Sequence, residues 1–315
     1  MVKTAMKRCL CKIILLVCAI APLVIPVQSS AVTIVAIMSS DQPRYREAHL
    51  SFVSSIAAHG YIAPSTYIIL QTPNADPLSW GFEVRKLNIS RPDLIVTYGA
   101  PASLTAVREA SRIPVVSADV FTSEQPVKGF CGVSSRVSMV TLLKTLLEIH
   151  PCRRVGVLYA SRESGSLQQL DDVKKFAAKL GISVLEGNVS TASALDTELN
   201  RLFDKSDAVV VTEGGLICQQ FERIIAKSKV RKIPIASTMP NAAEKGAIVS
   251  LEISPREQGY LAAEMAVRIL EGAKTEFLPL VPPHRIDLVI NMRRAREIGI
   301  KIPLSAQRSA TRLIK

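Results

Sequence analysis

The distribution of apolar and polar positions divides most of this chain into segments of strand and helix length. Val32–Met38 is a continuous apolar run. A helical pattern follows it in which Leu50, Val53 and Ala57 share one face, with Phe52 and Ile56 beside it. A continuous apolar run of this length is typical of a strand buried between two layers of helices. Further strands are predicted at 67–70, 93–97 and 113–116, separated by helices at 80–87 and 101–110. Residues 32–120 therefore predict a βαβα arrangement with a parallel sheet.

The same alternation begins again after residue 136. Helices are predicted at 137–149, 168–180, 194–203 and 216–227, and strands at 154–159, 182–185, 207–212 and 233–236. The two α/β runs are of similar size, and no segment rich in Pro or Gly separates them. They predict two similar lobes that are connected by a structured hinge rather than by a flexible linker.

The last part of the chain adds a strand at 246–250, a helix at 255–272 and a further strand at 286–291. Elements that arrive this late suggest a chain that returns to its first lobe and then crosses to its second again. The predicted fold class is α/β, with two similar doubly wound parallel-sheet lobes joined by a hinge. The first lobe is predicted to contain residues 32–120 and 246–273, and the second residues 121–245 and 274–315.

The N-terminus has the organisation of a secretory signal. Basic residues precede an uninterrupted apolar run at 13–25, and Ser29-Ser30-Ala31 offers small residues for cleavage before Val32. The apolar run is shorter than the roughly 20 residues that a membrane-spanning helix needs. A cleavable signal peptide at residues 1–31 and a periplasmic location are therefore predicted, with an uncleaved membrane anchor as the alternative.

Composition limits the partners of the chain. Its 315 residues carry a formal net charge of +12, but the basic residues are scattered along predicted helices and only 5% of residues are aromatic. Nucleic acid is not an expected partner, because it requires a clustered basic surface and aromatic side chains for base stacking. A solvated surface is the simpler interpretation of the charge, and steering of an anionic ligand or a membrane partner is the alternative.

No metal, cofactor or catalytic motif is predicted. Cys131, Cys152 and Cys218 follow the predicted signal peptide without forming a CxxC or Cys/His cluster, and they allow at most one internal disulfide. The sequence contains no nucleophile elbow, phosphate loop or dinucleotide-binding fingerprint. Glu213 and Glu252 each end a predicted strand, and we interpret them as ligand contacts, with a catalytic pair as the alternative. The pattern favours binding over catalysis.

The candidate binding residues follow from the position of the loops. Ligands of open parallel sheets bind beyond the carboxyl ends of the strands, where loops lead into helices. In this chain those loops are rich in small hydroxyl residues and glycine, whose backbone N–H groups suit a carboxylate or another anion. Such residues are also ordinary caps and turns, so each position has a structural alternative. The predicted ligand-binding residues are Ser39, Ser40, Tyr98, Gly99, Ala100, Asp119, Ser166, Thr212, Glu213, Thr238 and Glu252.

Several short motifs occur in a characteristic order. They are DLIVTYGAPA at 93–102, GVS at 132–134, GAIVS at 246–250 with Gly259 after it, and VIN at 289–291 with Ala295, Gly299-Ile300 and Ile302-Pro303. With these motifs, residues 32–303 resemble the ABC transporter substrate-binding proteins of the type I periplasmic binding fold, in the branch that includes tryptophan- and tyrosine-type binders. The resemblance implies that the backbone amides of the loop in the first motif hold a ligand carboxylate.

The resemblance further implies a binding protein that needs no cofactor. A small-molecule ligand would be held between the lobes of a monomer, and the closed form would dock on an ABC permease in the inner membrane. The chain departs from the family pattern at three ligand positions: Gly165-Ser166 replaces an Asn-Ser pair, Thr212-Glu213 replaces Thr-Asp, and Glu252 and Ser254 stand where the family often has a glycine and an amine-clamping aspartate. The ligand is therefore predicted only as a small polar or anionic molecule. A periplasmic sensor that signals to a membrane kinase or chemoreceptor, and a secreted hydrolase or isomerase, are the alternatives.

Overall fold

Two β-sheets and the helices that cover them organise the protein in the computed structural model, which describes residues 31–121 and 130–315. The strands are β1 Val32–Met38, β2 Thr66–Gln71, β3 Leu94–Tyr98, β4 Val115–Val120, β5 Gly132–Ser134, β6 Arg154–Tyr159, β7 Ser183–Asn188, β8 Ala208–Val211, β9 Ile235–Ser237, β10 Val249–Glu252, β11 Leu280–Val281, β12 Asp287–Asn291 and β13 Arg312–Ile314. The helices are α1 Pro43–Ala58, α2 Pro77–Ser90, α3 Ala100–Glu109, α4 Met139–Ile149, α5 Ser164–Lys179, α6 Ala194–Lys205, α7 Gly215–Gln219, α8 Phe221–Arg231, α9 Ala242–Lys245, α10 Pro255–Leu270, α11 Met292–Glu297 and α12 Leu304–Ser309. Apart from Ala31, the predicted signal peptide lies outside the described residues.

The first sheet has six strands in the order β11-β5-β4-β3-β1-β2, and all its strand pairs are parallel. Successive side chains of β1 point to opposite faces of the sheet, and both faces are covered. Ile34, Ala36 and Met38 pack against α1 and α10, whereas Val35 and Ile37 pack against α2 and α3. This double burial explains the continuous apolar run from which the strand is predicted.

The second sheet has seven strands in the order β13-β12-β10-β9-β8-β6-β7. β10 and β12 are antiparallel, and the other pairs are parallel. The strand β8 is buried on both faces, because Ala208 and Val210 face α4 and α5 while Val209 and Val211 face α6 and α8. The predicted fold class, two doubly wound α/β lobes, is confirmed.

The chain crosses between the two sheets after β5, after β10 and after β11. These crossings differ from the lobe boundaries that the sequence predicts. β5 and β11 belong to the first sheet rather than to the second lobe, and β10 pairs with β9 and β12 in the second sheet rather than with the first lobe. Apolar patterning identifies strands, but the choice of neighbour depends on contacts with segments distant in sequence.

The helix α1 has two partners, the first sheet and α10. Its buried side chains are Tyr45, Ala48, His49, Phe52 and Ile56. Leu50, in contrast, keeps 69% of its surface exposed, and Val53 and Ala57 are only half-buried. The predicted face of Leu50, Val53 and Ala57 is therefore wrong, whereas Phe52 and Ile56, which were predicted beside it, are buried. The reason is that α10 lies against α1 at Gly259 and the buried stripe turns toward both partners.

The described residues contain no helix that is both long enough and apolar enough to cross a membrane. Within the same part of the chain no cluster of His, Cys, Asp and Glu is arranged to hold a metal ion. Cys131, Cys152 and Cys218 are not joined in a disulfide. Burial raises the pKa of Cys131 and of Cys152 to about 12, so both thiols stay protonated at neutral pH.

Candidate functional site

The carboxyl ends of the two sheets face each other across a buried ionic cluster. Arg44 at the start of α1 reaches Asp119 at the end of β4, where Nε lies 3.3 Å from Oδ2. Arg44 also reaches the second lobe, since its Nη1 donates to Glu213 Oε2 at 2.9 Å. The side chains of Arg44 and Glu213 are each 10% exposed, and that of Asp119 is 6% exposed. An ion pair between the lobes therefore lies in a region that is largely shielded from water.

Arg44 occupies a place that disfavours a cation unless partners surround it. Pro43 begins α1, so Arg44 lies in the first turn, where the positive end of the helix dipole repels positive charge. Its Nη2 donates to Tyr45 Oη at 2.9 Å, and its guanidinium carbon lies 4.8 Å from the centroid of the Tyr45 ring. Burial lowers the pKa of Arg44, but Asp119, Tyr45 and Glu213 together raise it above its ordinary value. The carboxylates thus keep this buried arginine charged.

Glu213 follows β8 and is held in place by Gln169 of α5. Gln169 Oε1 accepts hydrogen bonds from the backbone N–H of Glu213 at 3.0 Å and from Thr238 Oγ1 at 3.1 Å. Gln169 is fully buried, so this link is not exposed to competition from water. Burial raises the pKa of the Glu213 carboxyl, and the Arg44 guanidinium opposes that shift. The ends of β8 and β9 are aligned by one side chain.

Asp119 has a backbone conformation that is uncommon outside glycine, with a φ of 57°. Its N–H donates to Gln258 Oε1 at 2.9 Å, and Gln258 Nε2 donates to the carbonyl oxygen of Ser134 at 3.2 Å. Because Ser134 ends β5, Gln258 of α10 connects Asp119 to the first crossing between the lobes. The local turn at Asp119 is therefore fixed by a side chain from near the end of the chain.

A third carboxylate, Glu163, lies before α5. Its Oε1 and Oε2 accept from the backbone N–H of Gly215 at 2.7 Å and 3.0 Å. Burial raises the pKa of Glu163, while the hydrogen bond from Gly215 and the charge of Arg44 oppose the shift. The cluster therefore contains three acidic side chains and one arginine.

Two small cavities flank the Arg44 side chain, with volumes of about 10 Å³ and 20 Å³. Arg44, Asp119 and Glu213 border both of them. Ser135 borders the first cavity; it is 4% exposed, and its Oγ has no hydrogen-bond partner. Each cavity has room for about one water molecule.

A family model of ABC transporter substrate binding proteins matches residues 34–314 of the chain. The chain belongs to this family. The family predicted from the motifs is confirmed, and with it the prediction of a solute-binding protein rather than an enzyme.

This substrate-binding protein is similar to a tyrosine-binding protein of Clostridioides difficile, with 26% identity over 204 residues that cover 64% of the chain and 59% of that relative. The match thus spans less than two thirds of the relative's length. Among solved structures, it is similar to an ABC domain from Streptococcus pneumoniae in complex with L-Trp, with a TM-score of 0.82, 23% identity and coverage of 90% of this chain and 100% of that one. It is also similar to a conserved domain protein from Vibrio cholerae, with a TM-score of 0.83, 22% identity and coverage of 90% and 99%. These two likenesses show the shared fold.

The structure places most of the predicted ligand residues of this substrate-binding protein at the facing ends of the sheets. Those that border the two cavities are Ala100, Asp119, Ser166, Glu213 and Thr238. A contact between any of them and a solute stays a prediction.

Four further predicted residues shape the loops around the cavities. Ser39 Oγ accepts from the N–H of Ala102 at 3.0 Å, and Ser40 Oγ accepts from Gln42 Nε2 at 2.8 Å. Thr212 Oγ1 donates to the Leu158 carbonyl oxygen at 3.1 Å. Gly99 has a φ of 89°, and a Cβ there would lie 2.7 Å from Ser39 Oγ. These residues fix the loops by their own contacts, which is the structural alternative that the sequence left open.

Two predicted ligand residues lie elsewhere. The Tyr98 side chain is fully buried in the core of the first lobe, where its Oη lies 3.1 Å from Nδ1 of His49. Glu252 Oε1 accepts from Ser250 Oγ at 2.5 Å, and Oε2 pairs with Arg312 of β13 at 3.3 Å. Side chains alternate along a strand, so a residue at a strand end points into the cleft in only one of two registers. Both residues have their side chains turned toward other partners.

Sequence reasoning did not single out Arg44, Gln169 or Glu163. An arginine in the first turn of a helix was the available signal for Arg44, because a cation there requires nearby carboxylates. Glu163 lies in the loop after β6, which is one of the strand-end loops, although only Ser166 is predicted from that loop as a ligand residue. Gln169 has no local signal, since its role depends on the ends of two strands from later in the chain.

Replacing Glu163 with glutamine is expected to change how stability depends on pH. Burial raises the pKa of Glu163 above the ordinary 4.5, so the folded protein binds this proton more readily than the unfolded chain. The stability that Glu163 contributes is therefore full below about pH 4.5 and is lost as pH rises through the folded-state pKa. Glutamine still accepts from Gly215 but does not titrate. Relative to wild type, Glu163→Gln gains stability from pH 4.5 to 7, measured by urea unfolding.

The variant Glu47→Gln controls for loss of an acidic residue, because Glu47 lies on α1 with a partly exposed carboxylate that pairs with Arg256. A constant difference between Glu163→Gln and wild type at every pH would contradict the assigned shift.

Proposed function

We propose that this protein is the periplasmic solute-binding component of an ABC importer, which captures a small polar solute between its two lobes. The observation that carries the proposal is the buried ion pair between Arg44 of the first lobe and Glu213 of the second. It lies at the facing carboxyl ends of two largely parallel sheets, where ligands of this architecture bind. Family membership supports a binding role. The basic and apolar residues at 1–31 support export by a cleavable signal peptide.

Closure is proposed to occur by a hinge rotation at the three crossings between the sheets. A solute that touches both lobes stabilises the closed form by the contacts that it makes only there. The closed form would then dock, as a monomer, on a permease of the inner membrane. No cofactor is needed for these steps.

Amino acids are the first solutes to test. The similar Clostridioides difficile protein is called tyrosine-binding, and the similar Streptococcus pneumoniae structure contains L-Trp. The charges at the site of this chain do not restrict the solute to an aromatic amino acid, because three acidic side chains and one arginine meet there. The proposal therefore includes small polar solutes other than aromatic amino acids.

Binding and closure are tested together on the protein purified from the periplasm. Thermal-shift and calorimetric titrations against amino acids, polyamines, nucleosides and small organic acids should yield saturable stabilisation, about 2.7 kcal/mol at a hundred times Kd. The solute should be recovered unchanged, and the bound protein should have the small radius of gyration of the closed form in small-angle scattering. Deletion of the gene should abolish uptake of the same solute by cells. Consumption of the solute, or binding without any effect on uptake, would contradict the importer role.

A further inference from the structure

The acidic residues around Arg44 outnumber the positive charge that it supplies. Asp119 and Glu213 contact its guanidinium directly, from opposite lobes. Glu163 acts on Arg44 electrostatically and borders one of the same cavities. We propose that Asp119 and Glu213 form a subsite for a cationic nitrogen of the solute, an ammonium or guanidinium group, and that Arg44 occupies this subsite until the solute replaces it. This inference rests on the proposed function.

The position of the Arg44 guanidinium requires it to move when a cation enters. The guanidinium borders two spaces of about 10 Å³ and 20 Å³, each about the size of one water molecule. Asp119 and Glu213 border both spaces and both already contact Arg44, so a cation that pairs with both carboxylates must take the place of the guanidinium. The two carboxylates come from different lobes. A cation placed there contacts both lobes and therefore favours closure.

The charge balance favours a cation over an anion as the entering group. An anion that enters the site either shares Arg44 with three acidic side chains or draws it away from Asp119 and Glu213, which leaves a carboxylate buried without its partner. Removing one member of a buried ion pair is strongly unfavourable. A cation that replaces Arg44 keeps both carboxylates paired. The exchange conserves the charge of the cluster.

Two polar groups of the site lack hydrogen-bond partners while Arg44 occupies it. Nε of Arg44 is buried without a hydrogen-bond partner, although Asp119 lies 3.3 Å away. Ser135 Oγ, in a side chain that is 4% exposed, faces the first cavity without a partner. Buried polar groups are normally paired in native proteins. An unpaired hydroxyl and an ill-fitting guanidinium indicate that a different molecule completes the hydrogen bonds of this site.

The decisive experiment compares the affinities of wild type and Arg44→Ala for a panel sorted by charge. The panel contains amino acids, polyamines, guanidines, the N-acetyl derivatives of these solutes, and small organic acids. We expect every solute that binds wild type to carry a cationic nitrogen and to lose binding on N-acetylation. Arg44→Ala is expected to bind the same solutes about tenfold more tightly. No arginine then occupies the subsite, so a larger fraction of the protein is free to bind the solute. Asp119→Asn and Glu213→Gln should each weaken binding by tenfold or more.

Methylguanidinium probes the subsite without knowledge of the natural solute. It should raise the Tm of Arg44→Ala saturably at millimolar concentration and should leave the Tm of the double variant Arg44→Ala, Glu213→Gln unchanged. Arg46→Ala is the matched control, because Arg46 is an exposed arginine two residues further along the same helix. It should bind all solutes as wild type does.

Three results would overturn the inference: an anionic solute that binds wild type and is lost in Arg44→Ala, unchanged affinities in Asp119→Asn and Glu213→Gln, or no saturable effect of methylguanidinium on Arg44→Ala. Failure of the proposed function looks different, since no solute would then bind wild type saturably while the methylguanidinium result could still be obtained.

Discussion

Replacing Gly259 with alanine is expected to destabilise the protein by about 3 kcal/mol, because it forces apart two helices that touch through their backbones. A Cβ at Gly259 of α10 would meet the carbonyl oxygen of Ala48 and would lie 2.8 Å from its carbonyl carbon and 2.9 Å from the backbone nitrogen of Phe52. These are main-chain atoms of α1, which cannot turn aside as the end of a flexible side chain can. A thermal melt should show a Tm lower by about 6 to 12 °C.

Gly81→Ala is the matched control for that prediction. Gly81 also lies within a helix, α2, but a Cβ there would meet only the side-chain ends of Arg85 and Glu109, at 3.1 Å and 3.2 Å. Those ends are able to move, and alanine favours the helix by about 1 kcal/mol over glycine. Gly81→Ala should therefore leave Tm unchanged or raise it. Equal effects of the two substitutions would show that the α1–α10 contact is not tight.

Replacing Arg44 with methionine is expected to open the ligand-free protein at neutral pH. The substitution leaves Asp119 and Glu213 facing each other without a cation, and loss of one member of a buried ion pair costs about 3 to 5 kcal/mol. This cost applies only to the closed form, because both carboxylates reach water when the lobes separate. The fraction of closed protein should therefore fall more than a hundredfold, which appears as a larger radius of gyration in small-angle scattering.

The same variant should close again on acidification. Burial raises the pKa of Glu213 above the ordinary 4.5, and loss of Arg44 removes the charge that opposes this shift. The closed form then binds a proton more readily than the open form. Lowering the pH through the raised pKa of Glu213 therefore favours closure. Arg46→Met, which removes an exposed arginine from the same helix, should scatter like wild type at every pH. A variant whose radius of gyration matches that of wild type from pH 4.5 to 7 would exclude this role for Arg44.

Much of the fold is predictable because a strand that is buried on both faces of a sheet is apolar along its whole length. β1 is apolar at every position since helices cover both of its faces, and the same holds for β8. The lobe boundaries have no local sequence pattern of this kind. β10 has the composition of any buried strand, and only its pairing with β9 and β12 assigns it to the second lobe.

The site was predictable only where it follows from the architecture. Asp119 and Glu213 were predicted because both lie at strand ends, and both border the cavities of the candidate site. Glu252 satisfies the same rule but bonds to Ser250 and Arg312, and Arg312 belongs to a strand added at the C-terminal edge of the sheet. Gln169 binds Glu213 and Thr238, which follow β8 and β9. Its own helix is distant in sequence from both of these strands. Pairings of this kind depend on the assembled fold.

The three crossings also determine when the protein can fold. The first lobe needs α10 to cover α1, and a hydrogen bond from Ser51 Oγ to the Arg256 carbonyl oxygen spans 205 residues of sequence. The second lobe needs β10, β12 and β13 to complete its sheet. Neither core can therefore be completed until the final segments have been synthesised, and contacts of such long range slow folding. Each lobe therefore becomes a complete folding unit only when the last segments of the chain are available, and neither lobe is encoded by one continuous stretch of sequence.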